Sequence, residues 1–350
     1  MDYLNAHSIS SSATIKQALA ILDKQGVIAN VLFVLDSNNK LIGSLTDGDI
    51  RRGLLRGVDI ENTVDKVMNH QCKFETHDRI DNDKVKAYKK AGIYFIPLVN
   101  ARKEIVSIIN LKEYKLPLPV DTVIMAGGKG ERLLPLTDQI PKPLLKVGSK
   151  PIIEHNIDRL KNFGVKEIYI SINYLGEQVV NYFGDGVAKG VSIKYVKESK
   201  PLGTLGSVKL LQKNFTRDSI LIMNSDLLTT IDFEEFYKAF TESDADMAIA
   251  ATSYYVDIPY AVMEVDSDNT VRSLKEKPRY TYYSNAGIYL LKKEILKYIP
   301  DDELFNSTDL MEILLQLNKK LITFPILGYW LDIGKMEDYK KAQDDIKHIF

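Results

Sequence analysis

A short apolar run that breaks at once into glycines limits this chain more than any other feature. Thr122-Val123-Ile124-Met125-Ala126 reads as a buried strand, and Gly127, Gly128 and Gly130 follow it directly. Glycines after a strand let backbone N–H groups approach a polyphosphate closely. Arg132 and Lys142, the latter between Pro141 and Pro143, add fixed positive charge, as a group transfer between phosphates requires. Two familiar phosphate loops are excluded. A dinucleotide fingerprint counted from Gly128 needs a third glycine where Leu133 stands, and a P-loop needs Ser or Thr after Lys129, where Gly130 stands.

From 121 onward short strands alternate with helical patterns, which predicts a layered α/β fold with a largely parallel sheet. Strands are expected at 167–172, 192–196, 220–223 and 247–251, with helices at 151–162, 177–183 and 206–212 and a last one over 335–350. Ligands in such sheets bind beyond the carboxyl ends of the strands, so the residues just after them carry the interest. Asn224-Ser-Asp-Leu227 follows one such strand, and an acidic residue there can ligate Mg²⁺ that bridges phosphate oxygens.

The full string G-G-x-G-x-R-L-x-P-x-T from Gly127 to Thr137, followed by Pro141-Lys-Pro-Leu144, resembles the signature of the sugar-1-phosphate nucleotidyltransferases, or NDP-sugar pyrophosphorylases. The resemblance implies a Rossmann-like, GT-A-like domain. It places Gly127, Gly128 and Gly130 on the nucleotide, and Arg132 and Lys142 on the reacting phosphates. Asp226, where Ser225 replaces the family's usual glycine, and Asp332 in Trp330-Leu-Asp-Ile-Gly334 become the Mg²⁺ carboxylates. Lys275-Glu-Lys-Pro278 implies sugar contacts for Glu276 and a sugar-phosphate contact for Lys277, and Ser284-Asn-Ala-Gly-Ile-Tyr289 implies a sugar-pocket role for Asn285. Ala261, in place of a family glycine, adds a methyl where backbone would approach the sugar.

Lys197-Glu-Ser-Lys-Pro-Leu-Gly-Thr204 resembles the family's base-binding loop, with Gly203 beneath the base and Glu198 facing it. Thymidylyl- and uridylyltransferases of the family commonly carry Gln at that position, because an amide both donates and accepts. A carboxylate only accepts, and guanine alone presents two adjacent donors, N1–H and N2–H. GTP is therefore expected to be favoured over UTP and dTTP by roughly 10- to 100-fold, from about 1–3 kcal/mol for a bidentate base contact.

Residues 1–120 carry an internal duplication. Helical patterns at 15–25 and 81–91 precede glycines Gly26 and Gly92, and each is followed by two apolar strands, 31–35 with 41–45 and 94–99 with 105–109. One such unit leaves an apolar face uncovered, so the two are expected to pack together. The first closes with Gly43-Ser-Leu-Thr46-Asp-Gly-Asp49, which resembles the closing motif of a CBS domain. The resemblance implies that Thr46 and Asp49 hold the ribose and phosphate of an adenine nucleotide. Asn110 and Glu113 stand at the matching places of the second repeat, so at most one such site is expected. The organisation read from the sequence is thus 1–60 and 61–116 as a CBS pair, 117–120 as a stiff connector with Pro117 and Pro119, and 121–350 as the nucleotidyltransferase domain.

Composition removes other classes. With 350 residues, 45% hydrophobic and 27% charged, the chain has room for two cores. A net charge of -1 gives no footprint for nucleic acid or an acidic membrane. Cys72 is the only cysteine, so no intrachain disulfide and no cysteine-rich zinc site can form. The five histidines have no metal-ligand spacing, and His155, inside a helical pattern, reads as structural. No signal peptide or spanning run is evident, which predicts a cytoplasmic location.

The resemblance to guanylyltransferases of bacterial surface-sugar pathways predicts a homo-oligomer that makes an NDP-sugar from an NTP and a glucosamine- or mannose-type sugar 1-phosphate. The product would feed glycan or nonulosonic-acid precursor synthesis. UTP- or dTTP-dependent transfer, CTP-dependent transfer to a non-sugar phosphate and an inactive nucleotide-binding regulatory subunit are the alternatives.

Overall fold

The computed structural model describes residues 3–25, 31–78, 80–114 and 116–349. The chain forms two compact units, Met1–Leu116 and Pro117–Phe350.

The first unit begins with α1 (Tyr3–Ala6), β1 (Ser8–Ser10), α2 (Ile15–Gln25), β2 (Val31–Leu35), β3 (Leu41–Thr46) and α3 (Asp47–Leu55). The second half has β4 (Glu75–Thr76), α4 (Asn82–Lys90), β5 (Phe95–Val99) and β6 (Ile105–Asn110). Each half builds a three-stranded sheet whose first pair is parallel and second pair antiparallel. The duplicated pattern is therefore a duplicated topology. Phe33 and Leu41 of one half pack with Phe95, Val99 and Ile108 of the other, covering the faces each would leave open. Gly92 ends α4 with φ +73°, while Gly26 lies outside the described residues. The halves part company after the last strand. Thr46 caps α3 through a capping box with Asp49, whereas a turn follows Asn110, whose Nδ2 donates to Glu113 Oε1 at 2.9 Å.

The stretch 117–120 is not a free connector. Leu118 N donates to Phe163 O at 3.4 Å, and Val120 belongs to the core of the second unit. A Cβ on Gly164 would stand 2.6 Å from Pro117 Cα, so the glycine lets the backbone of 117 lie directly against the end of the helix before it. The two prolines make the segment extended, and its apolar side chains dock it.

The second unit runs β7 (Asp121–Ala126), β8 (Lys146–Val147), β9 (Lys150–Pro151), α5 (Ile152–Asn162), β10 (Glu167–Ile172), α6 (Gly176–Phe183), β11 (Ser192–Lys197) and α7 (Gly203–Leu210). It continues with β12 (Ser219–Asn224), β13 (Leu227–Thr229), α8 (Phe233–Glu242), β14 (Met247–Asp257), β15 (Val262–Val265), β16 (Val271–Lys275) and β17 (Arg279–Lys292). The last elements are α9 (Ser307–Gln316), β18 (Leu321–Pro325), β19 (Trp330–Asp332) and α10 (Met336–Ile349).

Seven strands form the central sheet in the order β11-β10-β7-β12-β17-β14-β18, with β17 antiparallel to both neighbours and every other pair parallel. The largely parallel sheet expected from the sequence thus carries one reversed strand. Period-two alternation sends Ile124, Ile168, Ile170, Leu221 and Met223 to one face, against Ile153 and Ile157 of α5 and Phe233 and Phe236 of α8. Val123, Tyr169, Ile220 and Ile222 go to the other, against Leu205 of α7 and Leu310 of α9. Both faces are covered, which is why these strands read as continuous apolar runs. Beyond the sheet β14 and β17 continue as a ribbon, where Tyr254 opposes Tyr282 and both are exposed.

Candidate active site

The glycine segment leaves the carboxyl end of β7 at the centre of the sheet and wraps one side of a cavity of about 760 Å³. Gly130 sits at φ +69°, and a Cβ there would stand 3.0 Å from both Lys142 Cβ and Thr137 Cγ2. Only glycine meets both demands. Thr137 Oγ1 donates to Gly130 O at 2.9 Å and ties the loop back on itself. Gly127, Gly128, Gly130, Arg132, Lys142, Glu198, Gly203 and Asp226 all line this one cavity.

The acidic end of the cavity is built by a long-range pairing. β13 and β19 run antiparallel with Leu227 opposite Asp332, and Ile333 N donates to Asp226 O at 3.0 Å, so the two aspartates are neighbours. Lys142 Nζ donates to Asp226 Oδ2. Asp226 Oδ1 and Asp332 Oδ1 are buried and have no hydrogen-bond partner among the described residues. Burial first, then the charge of Asp226, pushes the Asp332 carboxyl above its ordinary range, against the pull of Lys142 and Arg132. A Cβ on Gly334 would stand 3.2 Å from Arg132 Nη2 and 3.5 Å from Asp332 Oδ2, which puts the guanidinium beside the pair. Two adjacent carboxylates, each with an unsatisfied oxygen, suit a hard divalent cation that takes its remaining ligands from water and phosphate. The residues fit Mg²⁺.

Glu198 lies at the other end of the cavity. It is 7% exposed, and it does not face solvent. Ser171 Oγ donates to Oε1 at 2.7 Å and Leu202 N to Oε2 at 3.1 Å. Gly203 opens α7 with φ +73° under Asn306, whose Oδ1 a Cβ at 203 would meet at 2.7 Å. His155 Nε2 pairs with Val147 O at 2.9 Å, a structural contact as its helical setting suggested.

Three residues that the resemblance assigns to the sugar side are not on the cavity wall. Glu276 and Lys277 are exposed in the turn between β16 and β17, with Lys277 at φ +42°. Asn285 is exposed on β17, and its Oδ1 accepts from Gly287 N at 2.9 Å. Gly287 in turn packs on the wall itself, since a Cβ there would stand 2.7 Å from Asn224 Nδ2. Ala261 is likewise exposed, before β15.

Sequence reasoning missed Asn173, Thr204, Asn224 and Asn306, all of which line the cavity. Asn173 follows β10 and Asn224 ends β12, so the rule that ligands sit beyond strand ends could have found both. Asn306 carried no local signal, because the packing of the α9 cap on Gly203 brings it there. Asn224 Oδ1 is a further buried oxygen without a partner.

In the first unit a cavity of about 460 Å³ is lined by Thr46, Asp49 and Arg52 of one half and by Tyr94 and Phe95 of the other. Asp49 is already engaged. Its Oδ2 accepts from Thr46 N at 2.9 Å and Thr46 Oγ1 at 2.6 Å, and its Oδ1 accepts from Arg52 Nη2 at 2.6 Å.

A strand-to-glycine turn over paired carboxylates, at the carboxyl ends of a mixed α/β sheet, defines a nucleotide-handling α/β enzyme fold. The nucleotidyl transferase family profile matches residues 121–348, more than half of the chain, and the chain belongs to that family. A CBS domain profile matches residues 4–56. A mannose-1-phosphate guanyltransferase of Debaryomyces hansenii is 34% identical over 224 residues, 62% of this chain and 62% of its own length. The chain thus spans about three fifths of such relatives. A D-glycero-alpha-D-manno-heptose 1-phosphate guanylyltransferase of Aneurinibacillus thermoaerophilus is 29% identical over 65% of this chain and 99% of its own. The crystal structure of HddC from Yersinia pseudotuberculosis superposes with a TM-score of 0.52 at 28% identity, covering 65% of this chain and 99% of its own. No helix among the described residues is long and apolar enough to cross a membrane.

Proposed function

We propose that the second unit transfers a guanylyl group from GTP to a sugar 1-phosphate, releasing pyrophosphate. The observation that carries the reading is a pair of buried oxygens, Asp226 Oδ1 and Asp332 Oδ1, without a partner among the described residues. Asp226 lines the cavity with the glycine turn, Arg132 and Lys142, and Asp332, though not on the wall, is its neighbour. Unsatisfied buried carboxylate oxygens are costly and are retained where a ligand completes them. Asp226 and Asp332 would hold Mg²⁺, which supplies charge neutralisation at the phosphates when bound. A phosphate oxygen of the sugar 1-phosphate attacks the α-phosphorus of GTP in line. The bond from that phosphorus to the oxygen bridging toward the β-phosphate breaks, and pyrophosphate leaves.

This chain's part is positioning and charge. The N–H groups of the glycine turn and the guanidinium of Arg132 face the leaving pyrophosphate, and Lys142 balances charge at the reacting phosphates. The ion pair with Asp226 holds Lys142 on the cavity wall, beside the glycine turn. Glu198 accepts from guanine N1–H and N2–H. In this reading Glu276 contacts the sugar hydroxyls, Lys277 the sugar phosphate and Asn285 a sugar hydroxyl or amide, which requires the β16–β17 turn and the outer part of β17 to approach the cavity. The relatives named for mannose- and heptose-phosphate guanylyl transfer support this substrate class.

The experiment is a panel of GTP, UTP, dTTP and CTP against mannose-, heptose- and glucosamine-type sugar 1-phosphates and phosphocholine, read by pyrophosphate release. GTP with a sugar 1-phosphate is the expected pair. Release only with UTP or dTTP, only with CTP and phosphocholine, or with nothing at all would replace the reading by one of its three alternatives.

A second reading concerns the first unit. The 460 Å³ cavity bounded by Thr46 and Asp49 supports adenine-nucleotide binding there. Arg52 is exposed and can swing off Asp49 to free one carboxylate oxygen for a ribose hydroxyl. Calorimetry with AMP on the full chain should give heat that Asp49→Ala abolishes. Equal heat from both proteins would contradict it.

A further inference from the structure

The Glu198 carboxylate is not free to turn. Ser171 Oγ, on β10 and fully buried, donates to Oε1, and the backbone N–H of Leu202 donates to Oε2. Glu198 N donates to Ile172 O at 3.0 Å, so the backbone that carries the side chain is pinned as well. Gly127 closes the remaining side, where a methyl would stand 2.8 Å from Oε1. Ser171 is not among the residues lining the cavity, so it can reach a bound base only through Glu198.

We propose that Ser171 is a positioning residue for base selection, its hydroxyl fixing the plane in which Glu198 meets the base. The proposal rests on the guanine reading of Glu198. Each carboxylate oxygen has two acceptor sites, and the two protein donors take one from each. One acceptor per oxygen is left, and the carboxylate that carries them is held in one plane. That is the geometry two parallel N–H groups of guanine need. Uracil offers one N–H beside a carbonyl oxygen, which a fixed carboxylate repels. A carboxylate able to rotate would give uracil one oxygen and turn the other aside. Holding Glu198 still therefore strengthens guanine and weakens uracil together.

Losing the hydroxyl should weaken GTP without weakening UTP, which a residue that only fills space would not do. Steady-state kinetics with GTP and UTP on the full chain, as wild type, Ser171→Ala and Glu198→Gln, provide the test. Ser171→Ala is expected to raise KM for GTP about tenfold, the scale of one hydrogen bond to a charged group, while kcat with GTP stays within about twofold. KM for UTP should stay level or fall. Ser171→Thr, which keeps the hydroxyl, should restore the GTP-to-UTP ratio.

If Glu198→Gln collapses that ratio and Ser171→Ala leaves it at the wild-type value, the positioning role is wrong and the guanine reading stands. If Glu198→Gln leaves the ratio unchanged, the guanine reading falls and this proposal with it. Melting temperatures complete the set. A lowered melting temperature in Ser171→Ala with an unchanged ratio makes Ser171 a packing residue and overturns the proposal.

Discussion

Each unit sets an acidic residue shortly after a strand on the wall of a cavity, Asp49 after β3 and Asp226 after β12, yet the two are in opposite states. In the first unit Asp49 has every contact it needs, from Thr46 backbone and hydroxyl on one oxygen and Arg52 on the other. In the second, Asp226 and Asp332 each keep a buried oxygen that nothing satisfies. A satisfied carboxylate at a helix start is explained by the helix it caps. An unsatisfied pair is explained only by something that arrives. The difference separates an acid whose two oxygens are already engaged from a pair that each keep an oxygen open to a ligand, and it is measurable.

The largest expected effect lies with the pair. Asp226→Ala or Asp332→Ala should lower kcat/KM for pyrophosphate release by about 100-fold or more, since each removes a carboxylate from the cation that holds the phosphates. Near-normal turnover at saturating Mg²⁺ would sink the comparison. Stability should move the other way. Asp332→Asn removes a like charge from beside Asp226, so without Mg²⁺ the variant should resist heat better than wild type, by up to about 2 kcal/mol. Equal or lower resistance in calorimetric scans would show that Lys142 and Arg132 already balance the pair. The smallest effect belongs to the first unit, where Thr46→Ala takes away a cap and should destabilise by about 1 kcal/mol in urea unfolding. A neutral result there would mean that the Thr46 cap adds nothing to the stability of the first unit.

How much of this was legible follows from range. The strand at 121–126, its glycines and helix 15–25 are local patterns, and local patterns survive in sequence. The halves of the first unit showed their kinship because each repeats the same periodicity within about 50 residues, a span usual for structural repeats. By contrast, the reversed strand β17 was illegible: it begins as an exposed ribbon, where Arg279 to Asn285 lack a buried face, and only then enters the sheet. The neighbouring of Asp226 and Asp332 depends on β13 meeting β19 from across the unit, and only the resemblance hinted at it. Glu198 was singled out for its chemistry, but its two donors, Ser171 and Leu202 N, come from other elements and were invisible. The short connector misled because prolines announce stiffness and say nothing of docking, which Leu118 and Val120 decide.

In the proposed reaction the unsatisfied oxygens of Asp226 and Asp332 take a divalent cation carried in with the nucleotide. Manganese stands in for magnesium and can be followed by electron paramagnetic resonance, independently of turnover. Titrating Mn²⁺ into wild type, Asp226→Ala and Asp332→Ala, each with a non-hydrolysable GTP analogue, tests the claim most directly. The claim predicts saturable Mn²⁺ binding in wild type that depends on the analogue and is lost in both variants. Unchanged binding in either variant would contradict it.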